Sequence, residues 1–378
     1  MRIGIYTQPL RYNYGCLLQA WALQTVLRRM GHDVVTFDPC PYLSLPRTKM
    51  PFVYAKRAIK KIYGQNVTIR REEKFNREHD LKIQNLKPFI EANIQKAEFT
   101  KVTDIKEGDF DVLMAGSDQV WRPKYNRSYG RTIENAFFDF AQQWKHVKRI
   151  AYAASFGTDD WEFTNEQTTR CSELAKLFSA ISVREQSGIA LCKERLGVTA
   201  THVLDPTMLL DRKNYEELIA QCPDTHSPSG NLLCYILDET EQTTNIINHI
   251  AKEKGLTPFR ANSKVTDKNA DISEKIQPPV EQWLRNFKDA ELVVTDSFHA
   301  CVFSIIFGKP FVVIGNKNRG ISRYESLFAM LSMDVHPIFS VEDVISMNTN
   351  YDEVYYQLDK QRNKSICYLE QSLDTKVR

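Results

Sequence analysis

Short apolar runs alternate with amphipathic segments along most of the chain. Most of these runs are continuous rather than alternating in polarity, which is typical of strands that are covered on both faces. Helical patterns fall between many of the runs, an order that predicts α/β architecture with parallel sheets of the doubly wound type. We predict strands at Ile3–Tyr6, Val34–Phe37, Asp111–Met114, Arg149–Ala154, Ile181–Val183, Leu232–Leu237, Leu292–Thr295 and Phe311–Ile314.

The clearest helix follows the first predicted strand. Apolar residues recur there at helical spacing: Cys16, Ala20, Leu23, Leu27 and Met30. They form one apolar face, and Gly31 is placed to end the helix in a left-handed conformation.

The amino-acid composition changes at two places along the chain. Residues 49–93 are dense in Lys and Arg with spaced apolar positions, which predicts one or two surface helices inserted into the first lobe. A solvated helix face is the favoured interpretation of this charge run. A polar, turn-rich stretch over 211–230 indicates a boundary. We therefore predict an N-terminal Rossmann-like lobe over 1–210, a C-terminal Rossmann-like lobe over 211–345 and a helical tail over 346–378.

Composition and charge narrow the function classes. The chain of 378 residues is 42% hydrophobic and 26% charged, as is ordinary for a globular protein. Its 50 Lys and Arg against 47 Asp and Glu leave a net charge of +3, which gives no reason to expect a nucleic-acid partner. None of the eight cysteines has CxxC spacing. We expect buried reduced thiols and no metal site.

The chain shows no apolar region after a basic start, so we expect no secretory signal. The most apolar stretch, 300–315, is interrupted by Ser, Gly, Lys and Pro and is too broken to span a bilayer. We expect a cytoplasmic protein. Peripheral contact of the basic segment 49–77 with a membrane is an alternative to the solvated face.

Polar residues follow the predicted strands, where open parallel sheets bind ligands. Asn13, Tyr14 and Gly15 lie at the start of the first helix, whose free N–H groups can bind an anion or a hydroxyl. Simple capping by Asn13 is the alternative. Gly116, Ser117 and Asp118 follow a later strand.

Three side chains at strand ends, that of Asp118 among them, are suited to acid–base or anion chemistry. Asp118 can accept a proton from a hydroxyl, unless it or Ser117 only caps a helix. Arg184 suits bidentate binding of phosphate or carboxylate, with a structural pair to Glu185 as the alternative. His299 begins an apolar helix, whose dipole favours a neutral imidazole able to act as acid or base. Packing of His299 in the seam between the lobes is its alternative.

The densest cluster of positive charge at a predicted strand end follows Phe311–Ile314. It contains Lys317, Arg319 and Arg323. A solvated loop is the alternative for Lys317.

Six collinear segments resemble the polysaccharide pyruvyl transferase family. They are Asn13-Tyr14-Gly15, Ala115–Trp121, Val183-Arg184-Glu185, Val203–Thr207, Thr295–Ala300 and Ser304–Pro310. Each is weak alone, and their order along the chain is what makes the resemblance specific.

The resemblance implies a fold similar to the two-lobed glycosyltransferase-B architecture, with the active site in the cleft between the lobes. It implies phosphoenolpyruvate as donor, no cofactor, and a sugar or lipid-linked oligosaccharide as acceptor, on which pyruvate is installed as a ketal. Members decorate cell-surface or capsular polysaccharides. Many carry Arg-Leu-His where this chain has Ser297-Phe298-His299, which places it in a Ser-Phe-His subgroup. Either Arg323 or Arg319 replaces the missing charge, or the donor differs.

The expected roles follow from the resemblance and the strand-end chemistry together. His299 and Asp118 are the predicted catalytic pair. The predicted donor contacts are Arg184, Arg323, Arg319 and Ser297, and the predicted acceptor or anion contacts are Asn13, Tyr14, Gly15, Gly116 and Ser117. Two alternatives remain: a glycosyltransferase of the same fold that uses a nucleotide sugar, and a non-catalytic carbohydrate- or partner-binding protein.

Overall fold

Two parallel sheets form the scaffold of the protein. The computed structural model describes residues 1–126, 130–222, 224–316, 320–343 and 349–375. The first sheet has the order β3-β2-β1-β4-β5-β6-β7. Its strands are β1 (Arg2–Tyr6), β2 (Asp33–Pro39), β3 (Lys96–Phe99), β4 (Val112–Ala115), β5 (Lys148–Ala154), β6 (Ala180–Val183) and β7 (Thr201–His202). The second sheet has the order β11-β10-β8-β9, formed by β8 (Leu232–Tyr235), β9 (Pro258–Arg260), β10 (Leu292–Thr295) and β11 (Phe311–Val313).

Helices lie between the strands, as the alternating pattern predicted. They are α1 (Tyr14–Arg29), α2 (Met50–Ile62), α3 (Arg71–Ile83), α4 (Lys87–Asn93), α5 (Asn165–Ala175), α6 (Gln186–Leu191), α7 (Arg212–Ala220), α8 (Glu241–Lys254), α9 (Val280–Asp289), α10 (Phe298–Phe307), α11 (Ser322–Met330) and α12 (Tyr351–Asp374). Every strand pairing is parallel. The predicted α/β fold with two Rossmann-like lobes is confirmed, whereas the predicted lobe boundaries stay predictions.

All the predicted strands are present, with slightly shifted ends. The strands that the sequence did not predict are β3, β7 and β9, and each lies at the edge of its sheet. Edge strands are covered less completely, so their residues need not form the continuous apolar runs of central strands. In β3, for example, only Phe99 is buried.

A continuous apolar core joins the two lobes on the α1 side. The Tyr14 ring of α1 stacks on Trp283 of α9, with ring centroids 5.1 Å apart. Trp21 of α1 meets Tyr215 of α7 edge to face at 5.5 Å. Offset-stacked and edge-to-face pairs are the favoured arrangements of aromatic rings, so these contacts hold the lobes against each other.

The segment predicted as one or two inserted helices contains three, α2 to α4. At the other end of the chain, α12 contacts both lobes. Tyr351 donates a hydrogen bond to the Lys309 carbonyl in the second lobe, and Ser365 accepts one from the Leu204 backbone N–H in the first. Among the helices of the described residues, none has the length and apolar character needed to cross a membrane.

Candidate active site

A buried group of charged side chains lies where the strand ends of the first sheet face α10 and α11 of the second lobe. Asp118 follows β4, Arg184 follows β6 and Asp205 follows β7, while His299 and Arg323 come from the second lobe. Each of the five is at most 7% exposed. Because buried charges are costly unless they are paired, the contacts among them define what the site can do.

Asp205 is the centre of this group. Its Oδ2 accepts hydrogen bonds from Arg184 Nη1 at 2.7 Å and from Ser117 Oγ at 2.9 Å. Its Oδ1 accepts from the Thr207 backbone N–H at 3.0 Å and hydroxyl at 2.7 Å. His299 Nε2 lies 3.6 Å from Oδ2. Burial opposes ionisation of Asp205, but His299, Arg184 and Thr207 together hold its pKa far below the usual range.

Arg184 is held between two carboxylates. Besides its bond to Asp205, its Nη2 lies 3.6 Å from Asp118 Oδ1. Burial lowers the pKa of Arg184, but the charges of Asp205 and Asp118 outweigh it and raise that pKa. The alternative that Arg184 pairs with Glu185 is not what the described residues show, since its ion pairs go to the two aspartates.

Asp118 reaches this position through an uncommon backbone conformation. Its φ is 63°, in the left-handed region that costs energy for residues other than glycine. Its carbonyl accepts hydrogen bonds from the backbone N–H groups of Val120 (2.8 Å) and Ser155 (3.1 Å), which fix the turn. Such conformations persist where the surroundings hold them and are common at functional sites.

His299 lies against the start of α1. A Cβ built on Gly15 would be only 2.0 Å from His299 Nδ1. No other residue type leaves room for the imidazole at this place. The N-termini of α1 and α10, one from each lobe, therefore meet at one imidazole ring.

Two guanidinium groups lie over the ring of Phe298. The Cζ atom of Arg184 lies 4.4 Å from the ring centroid and that of Arg323 lies 5.8 Å from it. Burial lowers the pKa of Arg323, and the charge of Arg184 lowers it further. Cation–π contacts stabilise both arginines, but two like charges near one buried ring still repel each other.

Glu185 adds a buried carboxyl beside the arginines. Its Oε1 accepts hydrogen bonds from the backbone N–H groups of Phe156 at 2.7 Å and Gly157 at 3.3 Å. Its Oε2 has no hydrogen-bond partner among the residues that the structure describes. Burial raises the pKa of Glu185 despite the opposing charges of Arg184 and Arg323. Its protonation is therefore sensitive to any charge that enters the site.

The predicted acceptor contacts lie in different surroundings. Asn13 is exposed and caps α1, because its Oδ1 accepts from the Cys16 backbone N–H at 3.3 Å. Tyr14 is fully buried, and its hydroxyl donates to the Pro278 carbonyl at 2.8 Å, so its side chain contacts the other lobe. Gly116 lies in the turn after β4, where a Cβ would be 3.0 Å from Ile5 Cγ2. Their ligand-binding roles stay predictions.

The remaining predicted donor contacts are Ser297 and Arg319. Ser297 is the N-cap residue of α10 and is 7% exposed, next to the ring on which both arginines lie. Arg319, like Lys317, lies outside the described residues. Arg323, the described cation of the predicted cluster, lies over the ring of Phe298, the residue that follows Ser297.

Sequence reasoning gave no role to Asp205, Phe298 or Asp296. Asp296 is 1% exposed, and its carboxylate accepts from the backbone N–H groups of Leu237 (2.7 Å) and Asp238 (3.0 Å), which fixes the turn after β8. Asp205 carried a usable signal, since an Asp followed by Pro is typical of a helical turn start. Within the described ranges, no three His, Cys, Asp or Glu side chains converge as a metal site would require.

Fold and site together define a two-lobed α/β protein with a buried, arginine-containing site between parallel sheets. The sequence matches the family model for polysaccharide pyruvyl transferase over residues 13–318, and the chain belongs to this family. No curated protein matches the chain.

Several solved structures are similar over nearly their whole length. UDP-GlcNAc 2-epimerase from Neisseria meningitidis bound to UDP-GlcNAc has 10% identity and a TM-score of 0.46, with 100% of both chains covered. An alpha-glucosyltransferase in complex with UDP and a 13-mer DNA has 12% identity and a TM-score of 0.44, covering 98% of this chain and 95% of its own. UDP-GlcNAc 2-epimerase from Methanocaldococcus jannaschii has 11% identity and a TM-score of 0.43, with 96% and 93% covered.

Proposed function

We propose that this protein transfers the pyruvyl group of phosphoenolpyruvate to two hydroxyls of a sugar, forming a ketal and releasing phosphate. The observation that carries the proposal is the placement of Arg184 and Arg323, from different lobes, on the ring of Phe298. Phosphoenolpyruvate carries a phosphate and a carboxylate on one small skeleton. Convergent guanidinium groups are the side chains best suited to bind such a pair of anions.

Within this pair, Arg323 is the cation that the second lobe supplies. The charge of Arg184 is already offset by Asp205 and Asp118. Arg323 instead has a lowered pKa, because burial disfavours its charged form. It lies over the ring of the residue that follows Ser297, the position where many family members carry an arginine. We therefore assign to Arg323 the donor contact that Ser297 lacks.

His299 and Asp118 supply the proton transfers in this proposal. His299 gives a proton to the methylene carbon of the donor, which turns that carbon into a methyl group and makes the neighbouring carbon electrophilic. A sugar hydroxyl attacks that centre, its proton going to Asp118, and a second hydroxyl closes the ketal as the C–O bond to phosphate breaks. The proton on Asp118 leaves with the phosphate, and the proton of the second hydroxyl restores His299. No step uses a cofactor or a metal.

The acceptor in this proposal is a sugar with two suitably spaced hydroxyls, in a cell-surface polysaccharide or its lipid-linked precursor. The start of α1 after Asn13 offers backbone N–H groups near the first lobe's strand ends, whereas the N–H of Gly116 already donates to the Tyr6 carbonyl at 2.8 Å. Hydroxyl oxygens are acceptors for such groups.

The test is phosphate release from phosphoenolpyruvate by the purified protein in the presence of diol-containing sugars. The expected result is release that depends on the sugar and is lost in His299→Ala, with His336→Ala as the matched control because His336 is exposed. Absence of both release and calorimetric binding of phosphoenolpyruvate overturns the donor. Full activity of His299→Ala overturns only the role of that residue.

A thermal-shift panel separates the proposal from its two alternatives. A ligand that binds the folded protein raises its melting temperature by mass action. At a ligand concentration of a hundred times Kd, the free energy of unfolding rises by about 2.7 kcal/mol. Phosphoenolpyruvate should raise it here. A shift with nucleotide sugars alone would indicate a glycosyltransferase, and a shift with oligosaccharides alone would indicate a binding protein.

A further inference from the structure

Helix α2 carries its apolar side outward, away from the protein. At 100° per residue, Phe52, Ile59, Ile62 and the C-cap residue Tyr63 fall on one side of the helix. All four side chains are strongly exposed, by 78%, 55%, 82% and 81%. No residue of α2 is buried. Surface helices ordinarily turn their apolar side to the core, so this orientation is reversed.

Polar contacts on the opposite side of α2 fix this orientation. Arg57 donates two hydrogen bonds to the Glu72 carboxylate of α3, at 2.6 and 2.8 Å. One turn earlier, the Tyr54 hydroxyl lies 3.4 Å from Glu73 Oε1. The helix is therefore held to α3 through its polar side, which leaves the apolar side without cover. A purely solvated face, the interpretation favoured from the sequence, does not account for exposed Phe and Ile.

The surroundings of this apolar side are strongly basic. Residues 39–71 contain no Asp or Glu. Their basic residues are Arg47, Lys49, Lys56, Arg57, Lys60, Lys61, Arg70 and Arg71. All of these except Arg57 are exposed. Lys56 and Lys60 lie along one edge of the apolar side. Aromatic and aliphatic side chains bordered by lysines are the composition of helices that lie in the interface of an anionic membrane.

We propose that α2 docks the protein on an anionic lipid surface, with its apolar side inserted at the level of the headgroups. A second copy of the chain fits this surface less well. Stable protein interfaces need about 20–30 residues a side, and the exposed side of this short helix supplies far fewer. Two copies would also bring lysines together without a nearby carboxylate. The inference is independent of the donor and of the reaction.

The test is co-sedimentation with vesicles of phosphatidylcholine, with and without phosphatidylglycerol. We expect binding only to the anionic vesicles. Replacing Phe52 and Ile62 with Ser should weaken it by about tenfold for each side chain. Replacing Lys56 and Lys60 with Gln should weaken it by about fivefold for each, because a lysine near such a surface contributes about that factor.

Matched controls lie elsewhere on the surface. Tyr356 of α12 is 64% exposed, and Tyr356→Ser should sediment like the wild type. Lys252 and Lys254 are exposed on α8, and their replacement with Gln tests whether any loss of positive charge has the same effect. All these variants should keep the wild-type melting temperature, because the replaced side chains are exposed.

A Phe52→Trp variant reads the position of the helix directly. Its added fluorescence should shift to shorter wavelength with anionic vesicles, because the indole leaves water. The inference is overturned if the wild type does not bind these vesicles, if the Phe52 and Ile62 variants bind equally well, or if the indole emission is unchanged. It is equally overturned if those substitutions dissociate a dimer in sedimentation velocity instead.

Discussion

Gly15 and His299 are in contact across the two lobes, and the contact depends on the absence of a side chain at position 15. A Cβ there would be 2.0 Å from His299 Nδ1. The backbone of Gly15 does not need the left-handed region, so the requirement is one of space. This relationship couples the first turn of α1 to the proposed acid–base group.

Gly15→Ala should displace the imidazole and lower the rate of phosphate release by about a hundredfold, as displacements of about 1 Å do. The overpacking should also cost about 1–3 kcal/mol of stability. Gly188→Ala is the control for overpacking alone, since a Cβ there would be 3.1 Å from Val183 Cβ rather than against the imidazole. Both variants are assayed for phosphate release and chemical unfolding. Unchanged activity in Gly15→Ala would show that the position of His299 does not limit the reaction.

Asp205→Asn should be the most destabilising of these substitutions. It leaves Arg184 buried with only the 3.6 Å contact to Asp118, and breaking a buried ion pair costs about 3–5 kcal/mol. Asp211→Asn is the control, because its pair with Arg362 is exposed on the aspartate side and should contribute about 1 kcal/mol or less. Urea unfolding measures both. Equal stabilities would contradict the central place given to Asp205.

Arg323→Met should separate binding from stability. The substitution removes the charge at similar volume, and the melting temperature of the ligand-free variant is measured beside the affinity so that lost binding is told from lost stability. Phosphoenolpyruvate affinity should fall about tenfold to a hundredfold, the effect of losing a charged hydrogen bond of about 1.5–3 kcal/mol. Arg212→Met is the control, because Arg212 also lies over a phenylalanine ring but is half exposed on the outside of the protein. Calorimetry that finds wild-type affinity in Arg323→Met would contradict the assignment.

His79 predicts a pH dependence of stability within the inserted helices. Burial, reinforced by the charge of Arg11, lowers its pKa to about 4. A histidine in the unfolded chain has a pKa of about 6.5, so the unfolded chain binds the proton at a higher pH than the folded protein does. The stability that a neutral His79 provides is complete above about pH 6.5 and declines by about 3 kcal/mol as the pH approaches 4.

The measurement is chemical unfolding between pH 7 and pH 4 of His79→Phe and the wild type, run side by side. The decline attributed to His79 should be absent from the variant. His336→Phe is the control and should keep the wild-type profile, because His336 is exposed. Parallel profiles for His79→Phe and the wild type would rule out the buried neutral histidine as the cause.

The sequence allowed us to predict those site residues that directly follow a strand. Asp118 and Arg184 follow predicted strands of the first sheet, and parallel strands end at one edge of a sheet, so their proximity could be expected. His299 begins the helix after a strand of the second sheet, and its place beside them could be expected only from the resemblance, which implies a cleft between the lobes. Asp205 was given no role, because β7 is only two residues long and shows no apolar run.

Orientation was the part that the sequence could not decide. The residue after a helix cap can face a ligand or a neighbouring element, and Tyr14 faces Trp283, a partner far away in the chain. Likewise, the spacing of apolar residues in α2 indicates an amphipathic helix but not which side is outward. That depends on the contact of Arg57 with Glu72 of the next helix.

The last helix of the chain belongs in part to the first lobe. Lys148 contacts the Leu373 carbonyl, and Arg362 donates to the Met208 carbonyl at 2.9 Å. Exchange of second lobes between relatives by a single crossover near residue 211 would therefore separate the first lobe from a helix that completes its surface. A functional hybrid requires two crossovers, the second one before α12, so that each first lobe keeps its own final helix.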